Sequence, residues 1–582
     1  GGAAVIRMTG HAAPMELLTG SVEDPGIVPT REVFFTTQYT LEPGSPLLRM
    51  ETTVEWLDEP TTVQLGDVLV CSMDVSDPYH PGGGLDTDQG TTGDWLGMVG
   101  QQNGIALALL SDTEAWPESL VGDLLTEIGP IIVGIGGNTL LEEESITTFS
   151  RSLGVAEDLS TLTDSWYQQR GVETETVSGT VTDGSDAVAG ARVHIMDAEQ
   201  QILTMAITNI DGDWSAEVPE GSDIRVQATG RGNGQHMGLP PGAGWVGPYN
   251  IPSVRTLAES SLAVGGPVTL FAEGYGVTEI VDASEPLQLT APAILSVDVG
   301  DGIPAVVRVD FASGDPVGRN SMTTPGRPDG SMARAYPAAG RIDIPVEPGD
   351  YEVVVHRGVT WEPWTVDVSL VSGQRTDLVP VLEEVVVLDE VLRMDPHAHA
   401  APSGDGKIGM AQRLLVHAAN GLQVHFGTDH DHVADYRPLL SPLDLTGHMT
   451  SIVADEVSPF LRGHHNIYPL EAILDEPNHG APPWQQHEWS TPELHAELRE
   501  RMDGGGIIQV NHGVGSSGMF TAAGVDDLDG VAEAGDHWSP AFDAMEVLND
   551  GQWREFTDVY LDLLSRGLQP TPVGVSDAHG FQ

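Results

Sequence analysis

Apolar and polar residues alternate along the first part of the chain. In Leu48-Arg49-Met50-Glu51-Thr52-Thr53-Val54-Glu55-Trp56, the apolar side chains recur with the period-two spacing of a half-buried strand. Glu32-Val33-Phe34-Phe35-Thr36-Thr37 reads as a second strand, and residues 1–170 are expected to form a β-sandwich. From Val177 the pattern tightens into short strands around turns: Val177-Ser178-Gly179-Thr180-Val181-Thr182, Ala191-Arg192-Val193-His194-Ile195, then Asp211-Gly212 and Val218-Pro219. Asp211-Gly212 is a turn signal. This spacing predicts a compact β module over 171–235. Residues 236–390 stay β-rich: Glu347-Pro348-Gly349-Asp350 is a turn leading into Tyr351–His356, and alternation returns over 361–371. A further sandwich is expected there.

At about residue 391 the pattern changes to alternating strand and helix. Residues 407–420 have helical spacing closed by Gly421, and 422–426 read as a strand. Ser490-Thr491-Pro492-Glu493 is a capping box, with Leu494, Leu498 and Met502 following on one face. A strand at 507–510, a helix at 554–566 and a strand at 572–575 complete the series. Repeated βα units imply a parallel sheet or barrel whose site lies at the strand C-termini.

Composition narrows the function. The 582 residues hold 86 Asp and Glu against 25 Lys and Arg, a net charge of −61. That field repels phosphate backbones, which excludes general nucleic-acid binding and disfavours anionic membranes. With 69 Gly and 40 Pro, short strands and tight turns are favoured. Cys71 is the one cysteine, so neither an intrachain disulfide nor a Cys-rich zinc module is available. No apolar run is long enough to span a membrane. The opening Gly1-Gly2-Ala3-Ala4 and the end at Gln582 read as those of a fragment, with any signal peptide outside it. Asp74, Asp77, Asp86, Asp88 and Asp94 crowd a Gly-rich stretch, but their spacing matches no calcium loop, so a solvated loop is expected.

Fifteen of the 20 histidines lie in residues 394–582. His397 and His399 alternate in Asp395-Pro396-His397-Ala398-His399 and would share one strand face. Asp405, His430, Glu456, His464, His512, Asp577 and His579 each fall at or near the end of an expected strand. Packing gives six imidazoles and three carboxylates no reason to recur there. Mixed His and carboxylate donors without thiolate suit zinc, manganese or iron. Nine donors exceed the needs of one ion, so two or three divalent ions are expected, bridged by a carboxylate such as Glu456.

The motif order His-x-His, Ser-x-Asp-Gly, Thr-Asp-His, Glu then Gly-His-x-Asn, Asn-His and Ser-Asp-x-His resembles the PHP (polymerase and histidinol phosphatase) metallohydrolases. The stretch from Glu456 to Asn466, with the sandwiches upstream, looks most like the CehA/McbA-type branch. The resemblance covers residues 391–582 and implies a distorted (β/α)7 barrel; a chain ending three residues after the last ligand suits a truncated one. It implies that His397, His399, Glu456 and Asp577 hold one ion, Asp405, His430 and His579 a second, and His464 and His512 a third beside Glu456. Pro396 and Ala400 depart from the pattern at positions that supply no ligand. His465 departs where an aromatic is usual, which makes it a candidate for an extra ligand, substrate contact or proton delivery. Asp429 is the candidate for orienting His430. His417 and His425 read as packing or surface residues, and Glu546 and Asn549 as either pocket-lining or structural. The 171–235 module resembles the carboxypeptidase regulatory-like (transthyretin-like) domain, a spacer or adhesion unit without chemistry of its own.

The expected function is a metal-dependent hydrolase using a metal-bridging hydroxide. The substrate, small or polymeric, is a phosphoester by family default, or an ester, amide or carbamate by branch. The alternative is an extracytoplasmic surface binding or adhesion protein that keeps an inactive PHP-like module and makes glycan or surface contact through its sandwiches. Either reading places the chain outside the cytoplasm: secreted, periplasmic or surface-attached.

Overall fold

The computed structural model describes residues 4–11, 33–56, 60–71, 76–79, 95–100, 106–112, 118–122, 131–230, 235–238, 274–312 and 331–580, apart from 277, 301, 303, 339, 389, 407, 460, 461, 485–488, 516, 525–536, 550 and 552. Strands dominate and fall into several separate sheets, so the chain is a multidomain, β-rich protein. Among the described residues, no helix is long and apolar enough to cross a membrane.

The first unit pairs a seven-stranded antiparallel sheet with a three-stranded one. The alternation at Leu47–Trp56 buries Met50, Val54 and Trp56. Helix α1 (Leu159–Arg170) starts where the Asp158 carboxylate accepts from the Thr161 amide, and it ends at Gly171 with φ 67°. Leu159, Leu162 and Trp166 pack against Leu47, Tyr79 and Trp95 of this sheet and against Met196, Ile202 and Met205 of the next module. The joint near residue 170 is therefore an apolar core. Asp74, Asp86, Asp88, Asp94 and the side chain of Asp77 lie outside the described residues.

The second module extends beyond the expected limit at residue 235. Val281–Asp282 pairs with Arg225 and Val226, and Leu287–Gln288 pairs with Val181 and Thr182. Leu287 and Leu289 complete its core beside Trp214 and Val218. Gln235–Gly238 instead joins the third unit, alongside Ser331–Pro337. Strands two residues long carry no readable alternation, so the sequence pattern does not say which sheet they join. The third unit is a sandwich closed by Leu295, Val297, Val307, Val309, Ile344, Val353 and Val355.

Residues 391–580 carry eight strands: β1 (Met394–Asp395), β2 (Val424–Gly427), β3 (Thr450–Val453), β4 (Asp455–Val457), β5 (His465–Tyr468), β6 (Ile507–Val510), β7 (Ala544–Asn549) and β8 (Thr571–Val575). β1, β2 and β3 pair in parallel, as do β6, β7 and β8, whereas β5 runs antiparallel to both β4 and β6. That reversal departs from a strictly repeating βα pattern. Ala454 alone separates β3 from β4, and parallel bridges His430↔Glu456 and Ala398↔Ala578 link the two sheets at both ends. Helix α2 (Met410–Ala419) is buried along its whole length. Its Val416 and Ala419 share a core with Ile408 and with Val306 and Tyr336 of the third sandwich. Helix α3 (Thr491–Arg501) begins at the Ser490–Glu493 capping box and buries Leu494 and Leu498, and helix α4 (Arg554–Ser565) buries Phe556, Val559 and Leu563.

Candidate metal centre

Every one of the nine candidate donors reaches one cluster, and the strand ends explain how. Ala398 bridges to Ala578, which lays the segment carrying His397 and His399 beside the one carrying Asp577 and His579. The His430↔Glu456 bridge brings the end of β2 to β4. Gly463, at φ 75°, lets the chain enter β5 with a Met519 amide so close that any Cβ would meet it at 2.2 Å. His464 follows directly. His512 and Asp577 hold positive φ values of 25° and 50°, strain of the kind concentrated where a fixed side-chain direction matters.

Glu456 is completely buried at the centre. Its Oε1 lies 3.3 Å from His397 Nε2, 3.2 Å from His464 Nδ1 and 3.4 Å from His512 Nε2. Its Oε2 lies 2.9 Å from His430 Nδ1 and 3.4 Å from His399 Nε2. Asp577 Oδ1 sits 3.1 Å from His397 Nε2 and 3.0 Å from His399 Nε2. Asp405 Oδ2 sits 3.0 Å from His430 Nε2 and 3.1 Å from His579 Nε2. Donor atoms fall into four overlapping groups, each within 4.8 Å: His399, Asp405, His430 and His579; His397, Glu456 and His512; His397, His399 and Asp577; and His430, Glu456 and His464. His397, His399 and His430 thus belong to two groups each, a sharing that the motif order did not reveal.

Four histidines are held from outside by their Nδ1 atoms. Glu546 Oε1 lies 2.7 Å from His397 Nδ1, Ser403 Oγ 3.2 Å from His399 Nδ1, Ser458 Oγ 2.5 Å from His430 Nδ1 and Ser517 Oγ 3.3 Å from His512 Nδ1. At His397, His399 and His512 this turns Nε2 toward the cluster, whereas His430 and His464 face Glu456 through Nδ1. Glu546 also accepts from the His512 amide, Gln509 and Asn549, and Asn549 donates onward to Asp577. Glu546 and Asn549 are therefore part of the support around the cluster. Ser403 and Asn511 stand in the Ser-x-Asp-Gly and Asn-His motifs, whereas Ser458, Ser517 and Gln509 had no sequence signal.

Burial alone would discharge all these groups, but the cluster is dense enough to oppose it. Burial raises the carboxyls of Glu456, Asp405 and Asp577, yet the surrounding imidazoles hold all three well below their usual range. Burial lowers His397 and His430, yet the nearby carboxylates hold both well above it. His399 is pushed down to about 3, first by burial and then by His579 and His430.

Two candidates stand apart from the cluster. Asp429 accepts from the Ala400 amide at 2.7 Å and from the Tyr436 hydroxyl at 2.7 Å, and burial pushes its carboxyl up to about 7. Both nitrogens of His430 face other groups, so Ser458, not Asp429, orients that ring. His465 begins β5 with its side chain on the opposite face from Asn466, its Nε2 3.1 Å from His495 Nε2 on α3. Asn466 faces inward, donating to the Pro396 carbonyl and accepting from Asn511. Strand alternation thus directs His465 into the packing beneath α3, where it is fully buried and outside the donor groups. His417 and His425 are also buried, with ring centroids 5.2 Å apart.

No protein-family model and no curated protein matches the chain. Among solved structures it is similar to the Slr1438 protein from Synechocystis sp. PCC 6803, at 10% identity and TM-score 0.19 over 27% of this chain and 62% of that one. It is also similar to a galactose mutarotase-like protein from Lactobacillus casei ATCC 334, at 12% identity and TM-score 0.18 over 26% and 70%. The Bacillus anthracis TIE protein is similar at 10% identity and TM-score 0.13 over 66% of this chain and 63% of that one. The chain spans less than two thirds of the Slr1438 and TIE proteins. Likeness at these scores carries no argument about fold or chemistry.

Proposed function

We propose that residues 391–582 form a PHP-type, metal-dependent hydrolase domain of the CehA/McbA kind. The observation that carries this reading is the set of five imidazoles facing a fully buried Glu456, with His397, His399 and His512 each held at Nδ1 by a separate outer partner. The donor set fits divalent ions by a second test. His397 Nε2, His579 Nε2 and Glu456 Oε2 are buried without an aligned hydrogen-bond partner, which is costly unless something else satisfies them. A distorted (β/α)7 barrel is supported by the strand count, since β3 and β4 are nearly continuous and the bridges join the remaining ends.

His397, His399, Glu456 and Asp577 would hold one zinc, manganese or iron ion. Asp405, His430 and His579 would hold a second, and His464 and His512 a third with Glu456. Bound divalent ions would acidify a shared water and polarise the oxygen under attack. The residues supply the rest. Glu456 presents Oε1 and Oε2 to different histidines, which suits a carboxylate spanning two ions. Glu546 holds a proton at His397 Nδ1, so the Nε2 lone pair stays free for ligation. Asn549 fixes Asp577 from behind. A phosphoester is the proposed substrate class, with esters, amides and carbamates next. Location outside the cytoplasm belongs to the same proposal, supported by the sandwiches upstream.

The test is hydrolysis of a panel of general phosphoesters and esters by protein reconstituted with zinc, manganese or iron. Turnover of at least one substrate, abolished by Glu456→Gln and by chelation, is expected. No turnover with any metal would overturn the reading and favour a surface binding protein.

A further inference from the structure

Two donor-carrying segments of the C-terminal unit meet at a seam with a single β-bridge. His397 and His399 lie on one side, and Asp577 and His579 on the other. Between them run a single bridge, Ala398↔Ala578, and two backbone hydrogen bonds, His399 N to Ala578 O and Asp577 N to His397 O, each 3.0 Å. Side chains tie it too: Asp395 Oδ1 accepts from the Ser576 amide at 3.2 Å, His399 Nε2 lies 3.0 Å from Asp577 Oδ1, and Arg413 reaches both segments from below. Arg413, on α2, is fully buried and donates from Nε to the His399 carbonyl at 2.8 Å and from Nη2 to the Ala578 carbonyl at 2.6 Å.

We propose that Arg413 is a positioning residue that clamps this seam and thereby sets the affinity for ions held across it. A guanidinium presents donors in a rigid planar fork, so two carbonyls bound by one fork are fixed in separation as well as direction. The clamp is itself anchored. The other flank of α2, through Val416 and Ala419, packs in one core with Val306 and Tyr336 of the third sandwich. Gly358 of that sandwich approaches so closely that a Cβ there would meet the Asn420 carbonyl at 1.9 Å. The third sandwich therefore backs the helix that aligns the donors. Two donor groups span the seam: His397, His399 and Asp577, and His399, Asp405, His430 and His579. The group of His430, Glu456 and His464 does not touch it.

The inference rests on the metal-centre reading, and its test separates the two. Arg413→Met and Arg413→Lys are titrated with zinc and cobalt(II) against a competing chelator, and metal-free samples are followed by hydrogen exchange at the His399 and Asp577 amides. In Arg413→Met, ions bound across the seam should weaken by about 10- to 100-fold, the usual effect of losing an outer-shell partner. The ion assigned to His464, His512 and Glu456, none of which lies on the seam, should stay within about threefold of wild type. Lysine reaches one carbonyl rather than two, so Arg413→Lys should fall between. Without metal, both amides should exchange at least about tenfold faster, because the seam opens locally more often. Unchanged affinity and exchange, or equal weakening of every ion in step with the melting temperature, overturns the clamp. If Arg413→Met does not fold, the selectivity of Arg413→Lys decides. If the wild-type chain binds no ion, the metal-centre reading fails, and the exchange rates alone decide whether Arg413 holds the seam.

Discussion

Replacing Glu456 with glutamine keeps the size and shape of the central side chain and removes only its charge. Five imidazole nitrogens lie within 3.4 Å of its two oxygens; Glu456, His397 and His399 are fully buried, and His430, His464 and His512 are partly buried. Removing one partner of a buried charge pair costs about 3–5 kcal/mol. At about 1.4 kcal/mol per tenfold, affinity for the ions that Glu456 serves should fall by about 10²- to 10⁴-fold. The Asn511 amide, 2.8 Å from Oε1, can still donate to a glutamine carbonyl, so the local packing should survive. The assay is competition with a chromophoric chelator, paired with thermal melting in excess chelator to show that the metal-free variant folds. A folded Glu456→Gln variant whose metal affinity stays within about threefold of wild type would refute the reasoning, because Glu456 would then be ordinary buried packing.

Other substitutions divide the structure's contributions. Glu546→Gln weakens the hold on His397 Nδ1 and on the His512 amide, so metal affinity should drop by about 10- to 100-fold, read by the same competition. His465→Ala should lose about 2–4 kcal/mol of stability in chemical unfolding, as expected for a cavity beneath α3, while elemental analysis finds its metal content unchanged. Loss of an ion in that variant would contradict the strand register given to β5. Asp164, on α1, has its carboxyl pushed up to about 6 by burial and by the charges of Glu217 and Asp158, against a bond from the Glu217 amide. A raised carboxyl favours the folded state when protonated, and that advantage is lost as pH rises from about 4 through about 6. Asp164→Asn should therefore gain about 1 kcal/mol over wild type at pH 7, after allowance for solvent screening, and almost nothing at pH 4. Unfolding curves at the two pH values check the difference.

Much of this was readable because local chemistry and tertiary structure agree. Leu47–Trp56 alternates because one face meets a core, and Ser490 with Glu493 caps α3 whatever lies around it. The nine donors were visible because six imidazoles at strand ends have no apolar reason to gather. Their support was not. Glu546 stands 149 residues from His397 and Ser458 stands 28 from His430, and a serine or glutamate in a strand carries no mark of its distant partner. His465 misled because its phase depends on where β5 begins, and neighbouring strand residues face opposite ways. Arg413 sits in the middle of a helix whose pattern reads only as a core stripe, and nothing local shows that its fork ends on two carbonyls. The end of the second module was hidden for a similar reason, since Val281–Asp282 and Leu287–Gln288 are assigned by pairing alone.

The central claim is that the histidine and carboxylate cluster around Glu456 holds divalent ions together. Elemental analysis of protein purified from metal-supplemented medium and dialysed at pH 7.5 tests it most directly. At least two zinc, manganese or iron ions per chain are expected, falling sharply in Glu456→Gln; fewer than one ion per wild-type chain would rule out a metal centre at Glu456.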